Sequence, residues 1–268
     1  MALLAPYHSR YHAKAFDPWP GDNGHYLDFT PTVTTIPEVE PYTLFPLQAA
    51  LGYNIAQSLF IGPKNLVVEG VTDFWVLSTV SEYLADKGLT SLQSDLTITP
   101  VGGAQKVQYM VALLTAEEQK VLVLLDHEKE SEATREELVK SKLIDERSVL
   151  FMTEAFGTEP PKEADLEDLL DADVYEEVVR ESYAKELVDK EFKPNQNIPR
   201  VAKRMELALR QVGVEFHKTR PTRLLLSKMK SSPNTVLTPE SEKRFTALFK
   251  LINAKMDRLS SREAAPFN

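Results

Sequence analysis

The sequence predicts an α/β fold, a parallel sheet flanked by helices, followed by an all-helical domain. Three observations carry this. Between Asn65 and Met152 short apolar runs alternate with segments of helical period, the β-α-β-α-β-α-β pattern of a layered parallel sheet. The run Val121–Leu125 is apolar at every position, as strands covered on both faces are. Beyond residue 170 only helical periods persist.

In chain order, residues 1–45 are rich in proline, aromatics and threonine and hold no sustained period, which predicts an irregular lead-in. "PLQAALGYNIAQSLFIG" predicts a helix over about 47–59, stopped by Gly62-Pro63. "NLVVEG" predicts a short buried strand. "TDFWVLSTVSEYLADKG" predicts an amphipathic helix capped by Thr72 or Asp73 and ended by Gly88. "TITPVGG" reads as a second strand that breaks at a glycine pair, and "AQKVQYMVALLTAEEQ" as the next helix. "KVLVLLD" is the third strand, "SEATREELVKSKL" a helix and "SVLFM" the fourth strand. After the turn-rich "GTEPPKEAD", helices are expected over 166–190, 198–212, about 222–229 and 239–259, with Pro239 in a first helical turn. The expected division is a lead-in and helix over 1–60, a sheet domain over 61–170 and a helical domain over 171–268.

Composition narrows the chemistry. Among 268 residues, 43% are hydrophobic and 26% charged, an ordinary globular balance. No stretch approaches the length of a membrane span, and the start "MALLAPYHSRYH" lacks the basic and long apolar regions of a secretory signal. These features point to a cytoplasmic protein without membrane partners. The sequence has no cysteine, which excludes disulfides, zinc–thiolate sites and iron–sulfur clusters, so any metal would be a hard ion on oxygen donors or histidine. The net charge of −9 hides a polarity: 126–191 holds 22 acidic and 9 basic residues, net −13, whereas 200–268 holds 15 basic and 6 acidic, net +9. The first segment suits cations and the second a phosphate backbone, although two solvated helical faces of opposite sign would give the same counts.

Ligands of parallel α/β sheets collect outside the carboxyl ends of the strands. Glu69 ends the first strand and Asp126 the third. Asp73 follows Glu69 by four residues, and Glu128 follows Asp126 by two, on the same side if the chain stays extended. Four converging carboxylates repel one another and raise one another's pKa unless cations lie among them. Magnesium or manganese fits such donors, and two ions about 3.5–4 Å apart can stabilise the attacking and departing oxygens of phosphoryl transfer. Each member also has a plainer role: Asp73 as a helix cap, and Asp126 to Glu128 as a polar loop. A charged end to a buried strand, as at Glu69, needs a partner in either case.

"VVEGVTD" followed by "VLLDHE" resembles the Toprim pattern of topoisomerases, primases and some nucleases: a glutamate after one strand and an Asp-x-Asp-like pair after another. Here Asp126-His127-Glu128 departs from that pair while keeping two carboxylates. With "ITPVGGAQKV" and "DLEDLL", the stretch from about residue 47 to 170 is similar to the carboxy-terminal nuclease region of OLD (overcoming lysogenization defect) endonucleases.

That resemblance implies a metal-dependent DNA endonuclease that uses two magnesium or manganese ions. It implies that Asp165, Glu167 and Asp168 in "EADLEDLLDAD" hold candidates for a further metal-binding acid, without saying which. It also implies a basic element in "FHKTRPTRLLLSK", with Lys218 at the scissile phosphate and Arg220 and Arg223 along the substrate. OLD proteins carry an ATPase before this region, and no G-x-x-x-x-G-K-[ST] phosphate loop occurs here. The expectation is the nuclease part of a longer protein, or a form without the motor. The rival reading is a non-catalytic Toprim-like module that binds nucleic acid.

Overall fold

The computed structural model of the chain describes residues 62–261. The expected lead-in over 1–60, with its helix over about 47–59, lies outside them.

Four strands, β1 (Lys64–Val68), β2 (Leu96–Pro100), β3 (Lys120–Leu125) and β4 (Val149–Phe151), form one parallel sheet in the order β2-β1-β3-β4. Both neighbours of β1 run in register with it, Leu66 lying between Ile98 and Leu122. Alternation along the strands sorts side chains to two faces. Val67, Val121, Val123, Leu125, Val149 and Phe151 pack beneath α2 (Val107–Ala116) and Leu138 of α3 (Lys129–Lys140). Leu66, Val68, Leu122, Leu124 and Leu150 pack on the other face with Val76, Leu77, Val80 and Leu84 of α1 (Val71–Asp86). Each fully buried side chain of this kind contributes about 1.5–3 kcal/mol.

The chain steps from β1 outward to β2, then returns across β1 to β3 and continues to β4. α1 therefore covers one face, while α2 and α3 cover the other, as right-handed crossovers require. The reversal lies between β1 and β3, where the loops leaving the two strands part and open a crevice.

The helical portion comprises α4 (Ala172–Ser182), α5 (Val201–Gln211), α6 (Thr219–Ser231) and α7 (Pro239–Ser261). Tyr175, Val179, Met205, Leu209, Leu225, Phe245, Phe249 and Ile252 join the α1 side of the sheet in one continuous core. The sheet and the helical portion thus share their apolar interior.

Local departures from the sequence expectation have identifiable causes. α1 begins at Val71 with Gly70 as its cap residue, not Thr72 or Asp73; Asp73 lies in the first turn and its Oδ2 accepts the Gly70 N–H at 2.8 Å. The helix expected over 166–190 is broken. A single 3-10 turn, Leu166–Leu169, ends where Leu170 becomes extended, and α4 starts afresh after Asp171. Asp168 is the reason: its Oδ2 accepts the Asp165 N–H at 2.7 Å and its Oδ1 accepts the Val201 N–H at 2.8 Å, tying this turn to the start of α5.

The glycine pair after β2 is needed for its backbone. Gly103 has φ +124° and ψ 149°, a region that side chains avoid, and its N–H donates to the Glu69 carbonyl at 2.7 Å. Gly103→Ala is expected to lower stability in urea denaturation by about 1–3 kcal/mol. A loss below about 0.5 kcal/mol, the size of an ordinary surface change, would show that this turn does not require glycine.

Candidate active site

The loops leaving β1 and β3 bring two carboxylates together at the reversal point. Glu69 Oε1 accepts the Asp126 N–H at 3.2 Å, so the two strand ends are joined directly. A third segment is docked onto them by a backbone bridge. His127 N–H donates to the Ala164 carbonyl at 2.7 Å, and Ala164 N–H returns to His127 at 3.2 Å. This sets 164–168 beside the end of β3, where Leu166 N–H reaches Asp126 Oδ1 at 3.3 Å. His127 itself stacks on Phe151 with ring centroids 4.4 Å apart and places Nδ1 2.6 Å from Thr153 Oγ1.

The helical portion supplies two cations. Lys218, just before α6, sets its ammonium 3.0 Å from Glu167 Oε2, 3.7 Å from Asp73 Oδ1 and 3.8 Å from Asp126 Oδ2. Arg200, at the cap of α5, donates through Nη1 to Glu128 Oε2 and sets Nε 2.7 Å from Asp165 Oδ1. Asp73, Asp165 and Glu167 are all buried.

Burial and mutual repulsion raise these acids. Burial, then Asp126 and Asp73, pushes Glu69 up to about 7. Asp73 also rises to about 7, through burial, with Lys218 opposing and Asp126 and Glu167 adding repulsion. Asp165 rises to about 9 through burial and then Asp126. Glu167 and Asp168 are raised chiefly by burial. Burial works against the Lys218 ammonium, but Glu167, Asp126, Asp73 and Asp165 together hold its proton well above the usual lysine range.

The geometry gives the candidate residues different surroundings. Glu69, Asp73, Asp126, Glu167 and Lys218 gather at one rim. Glu128 and Asp165 share Arg200, and both oxygens of Asp168 are engaged by backbone amides. Arg220 forks onto Glu186 at 2.7 and 2.8 Å and lies 4.2 Å above the Tyr183 ring, whereas Arg223 is exposed on α6. Arg200 carried no local sequence signal, for it sits 72 residues from Glu128; only the net positive charge of 200–268 pointed in its direction.

Among the described residues, no three histidine, aspartate or glutamate side chains are grouped tightly enough as they stand to hold a metal ion. The donor set nevertheless fits a hard cation. It consists of carboxylate oxygens raised in pKa by burial and then by one another, and Glu167 Oε1 is buried without a hydrogen-bond partner. The Lys218 ammonium lies within 3.0–3.8 Å of three of these carboxylates, Glu167, Asp73 and Asp126.

Residues 60–127 match the family model described as the TOPRIM domain of overcoming lysogenization defect protein-like proteins. The match spans β1 to β3 and includes Glu69, Asp73 and Asp126, and it ends before Glu128. No curated protein and no solved structure matches the chain. Among the described residues, no helix is long and apolar enough to cross a membrane.

Proposed function

From the premise that residues 60–127 form a Toprim domain of the OLD-like type, we propose that this chain is the catalytic region of a metal-dependent DNA endonuclease that hydrolyses phosphodiester bonds. The observation that carries the reading is the meeting of Glu69 and Asp126 at the reversal point of the sheet, with the Lys218 ammonium facing Asp73, Asp126 and Glu167. Toprim domains as a class bind divalent metals. Glu69, Asp73 and Asp126 would hold magnesium or manganese here, with Glu167 beside them. When bound, such an ion activates water and offsets charge on the departing oxygen.

The chain's own residues prepare the rest. Burial and the neighbouring acids hold Glu69 and Asp73 up to about 7 in the metal-free chain, and a cation bound between them would favour their charged forms. Lys218 keeps its proton and supplies a fixed positive charge beside the carboxylates, suited to a phosphate oxygen. Asp168 holds the 165–168 turn against α5 through two amides. Arg223, exposed on the helix that begins beside Lys218, is available to the DNA backbone; Arg220 would first have to leave Glu186.

The test is cleavage of supercoiled plasmid with manganese or magnesium. Wild type is expected to cut, EDTA to stop it, and Glu69→Gln to slow it about 100-fold. A wild-type protein that cuts no faster than Glu69→Gln sinks the proposal. The central position of Lys218 favours one second reading, a charge-balanced module that binds nucleic acid without cutting it. That reading predicts DNA binding with no metal-dependent product in the same assay.

A further inference from the structure

We propose that Tyr183 is a positioning residue for Lys218: its hydroxyl fixes the backbone one residue before the lysine and so sets where the ammonium stands among the carboxylates. The inference rests on the nuclease reading above, in which Lys218 faces a phosphate oxygen.

Lys218 lies in the connection between α5 and α6, outside either helix. Its ammonium ends a flexible four-carbon stem, so its place is only as well defined as the backbone that carries it. That backbone is held from α4. Tyr183, the residue after the last of α4, is 1% exposed, and its hydroxyl accepts the His217 N–H at 2.7 Å and donates to the His217 carbonyl at 3.4 Å. The ring is engaged by the same segment, with the Phe216 ring 6.3 Å away and the Arg220 guanidinium 4.2 Å from its centre. Arg220 is in turn forked onto Glu186 at 2.7 and 2.8 Å. Residues on both sides of Lys218 are thus tied to one short stretch, 183–186. Beyond the lysine, Thr222 Oγ1 donates to the Lys218 carbonyl at 2.7 Å and closes the first turn of α6.

The contacts separate anchoring from packing. The Tyr183 ring belongs to the continuous core, and phenylalanine would keep it there. The hydroxyl's two hydrogen bonds both go to the backbone of His217. His217 is exposed, so its amide can turn to water once the hydroxyl is gone, and the segment loosens without opening the core. The ammonium at its end has carboxylate oxygens at 3.0, 3.7 and 3.8 Å, an arrangement that a small shift of the carrier would upset.

The experiment is a double-mutant cycle on plasmid cleavage with manganese, taking kcat and KM for wild type, Tyr183→Phe, Lys218→Ala and the two together. Tyr183→Phe is expected to lower kcat about tenfold with KM changed by less than about twofold. On the Lys218→Ala background it should slow cleavage by less than about twofold, because the hydroxyl acts through the lysine. A merely structural tyrosine would slow both backgrounds alike. Equal slowing in both, or a Tyr183→Phe rate within about twofold of wild type, overturns the proposal. Hydrogen exchange read by mass spectrometry tests the anchor without cleavage: in Tyr183→Phe the amides of 217–220 should exchange about tenfold faster while those of α4 stay as in wild type, and unchanged exchange at 217–220 overturns it. Should Tyr183→Phe fail to fold by circular dichroism, Glu186→Ala, which frees the guanidinium from outside the core, is judged by the same outcomes. Wild type that cuts no faster than Tyr183→Phe but faster than Glu69→Gln removes this inference alone; wild type that does not cut removes the nuclease reading with it.

Discussion

Asp126→Asn is expected to lower metal-dependent cleavage about 10³-fold and, in the same protein, to raise the melting temperature in EDTA at pH 8 by about 2–4 °C. Asp126 is the carboxylate that every part of the site touches: its amide bonds Glu69, its Oδ1 accepts Leu166 N–H and its Oδ2 faces Lys218. Asparagine keeps an oxygen for Leu166, so the 165–168 turn stays docked, but it removes the charge that faces the lysine and that the proposed metal would use. The same charge raises Glu69, Asp73, Asp165, Glu167 and Asp168. Deleting it relieves repulsion at five positions for the loss of one attraction at 3.8 Å. Loss of function with gain of stability is the mark of a strained site. Thermal melts and plasmid cleavage on one preparation check both halves; a lower melting temperature would show that attraction to Lys218 outweighs the repulsion.

The second large effect is in pH. Without metal, the melting temperature is expected to be highest at about pH 4 and to fall by about 5–10 °C by pH 8. Glu69 rises from 4.5 to about 7, Asp73 from 3.8 to about 7 and Asp165 from 3.8 to about 9. Between the ordinary and the raised values the folded chain holds protons that the unfolded chain has released, so stability drops as pH climbs. In the opposite direction Glu242 and Glu186 are lowered by Lys87 and Arg220, and what they contribute is lost as pH falls through the acid range. Manganese at pH 8, at about 100 times its dissociation constant, should restore about 2.7 kcal/mol. Differential scanning calorimetry from pH 4 to 9, with and without manganese, checks this. A flat metal-free profile between pH 5 and 8 would remove the basis for the raised acids.

The sheet was legible because its strands announce themselves locally. Val121–Leu125 has no polar residue, and the helices between strands carry their own period and stops. Glu69 and Asp126 could be placed at strand ends for the same reason, and the reversal in strand order brings those ends together. What escaped was set by contacts between distant segments. No rule of period or capping predicts that His127 and Ala164 bridge, or that Arg200 reaches Glu128 across 72 residues. The broken helix at 166–171 belongs with these. Asp168 lies within the helix expected over 166–190, and its oxygens serve one amide in its own turn and one at the start of α5.

Tyr175, Leu209 and Phe249 roof the sheet in the same apolar mass as Leu66 and Leu124, and the loops that deliver Arg200 and Lys218 hang from that roof. The supports of acid and base are thereby packed into one apolar core. On the proposed nuclease reading, the DNA would have to deform to meet these groups.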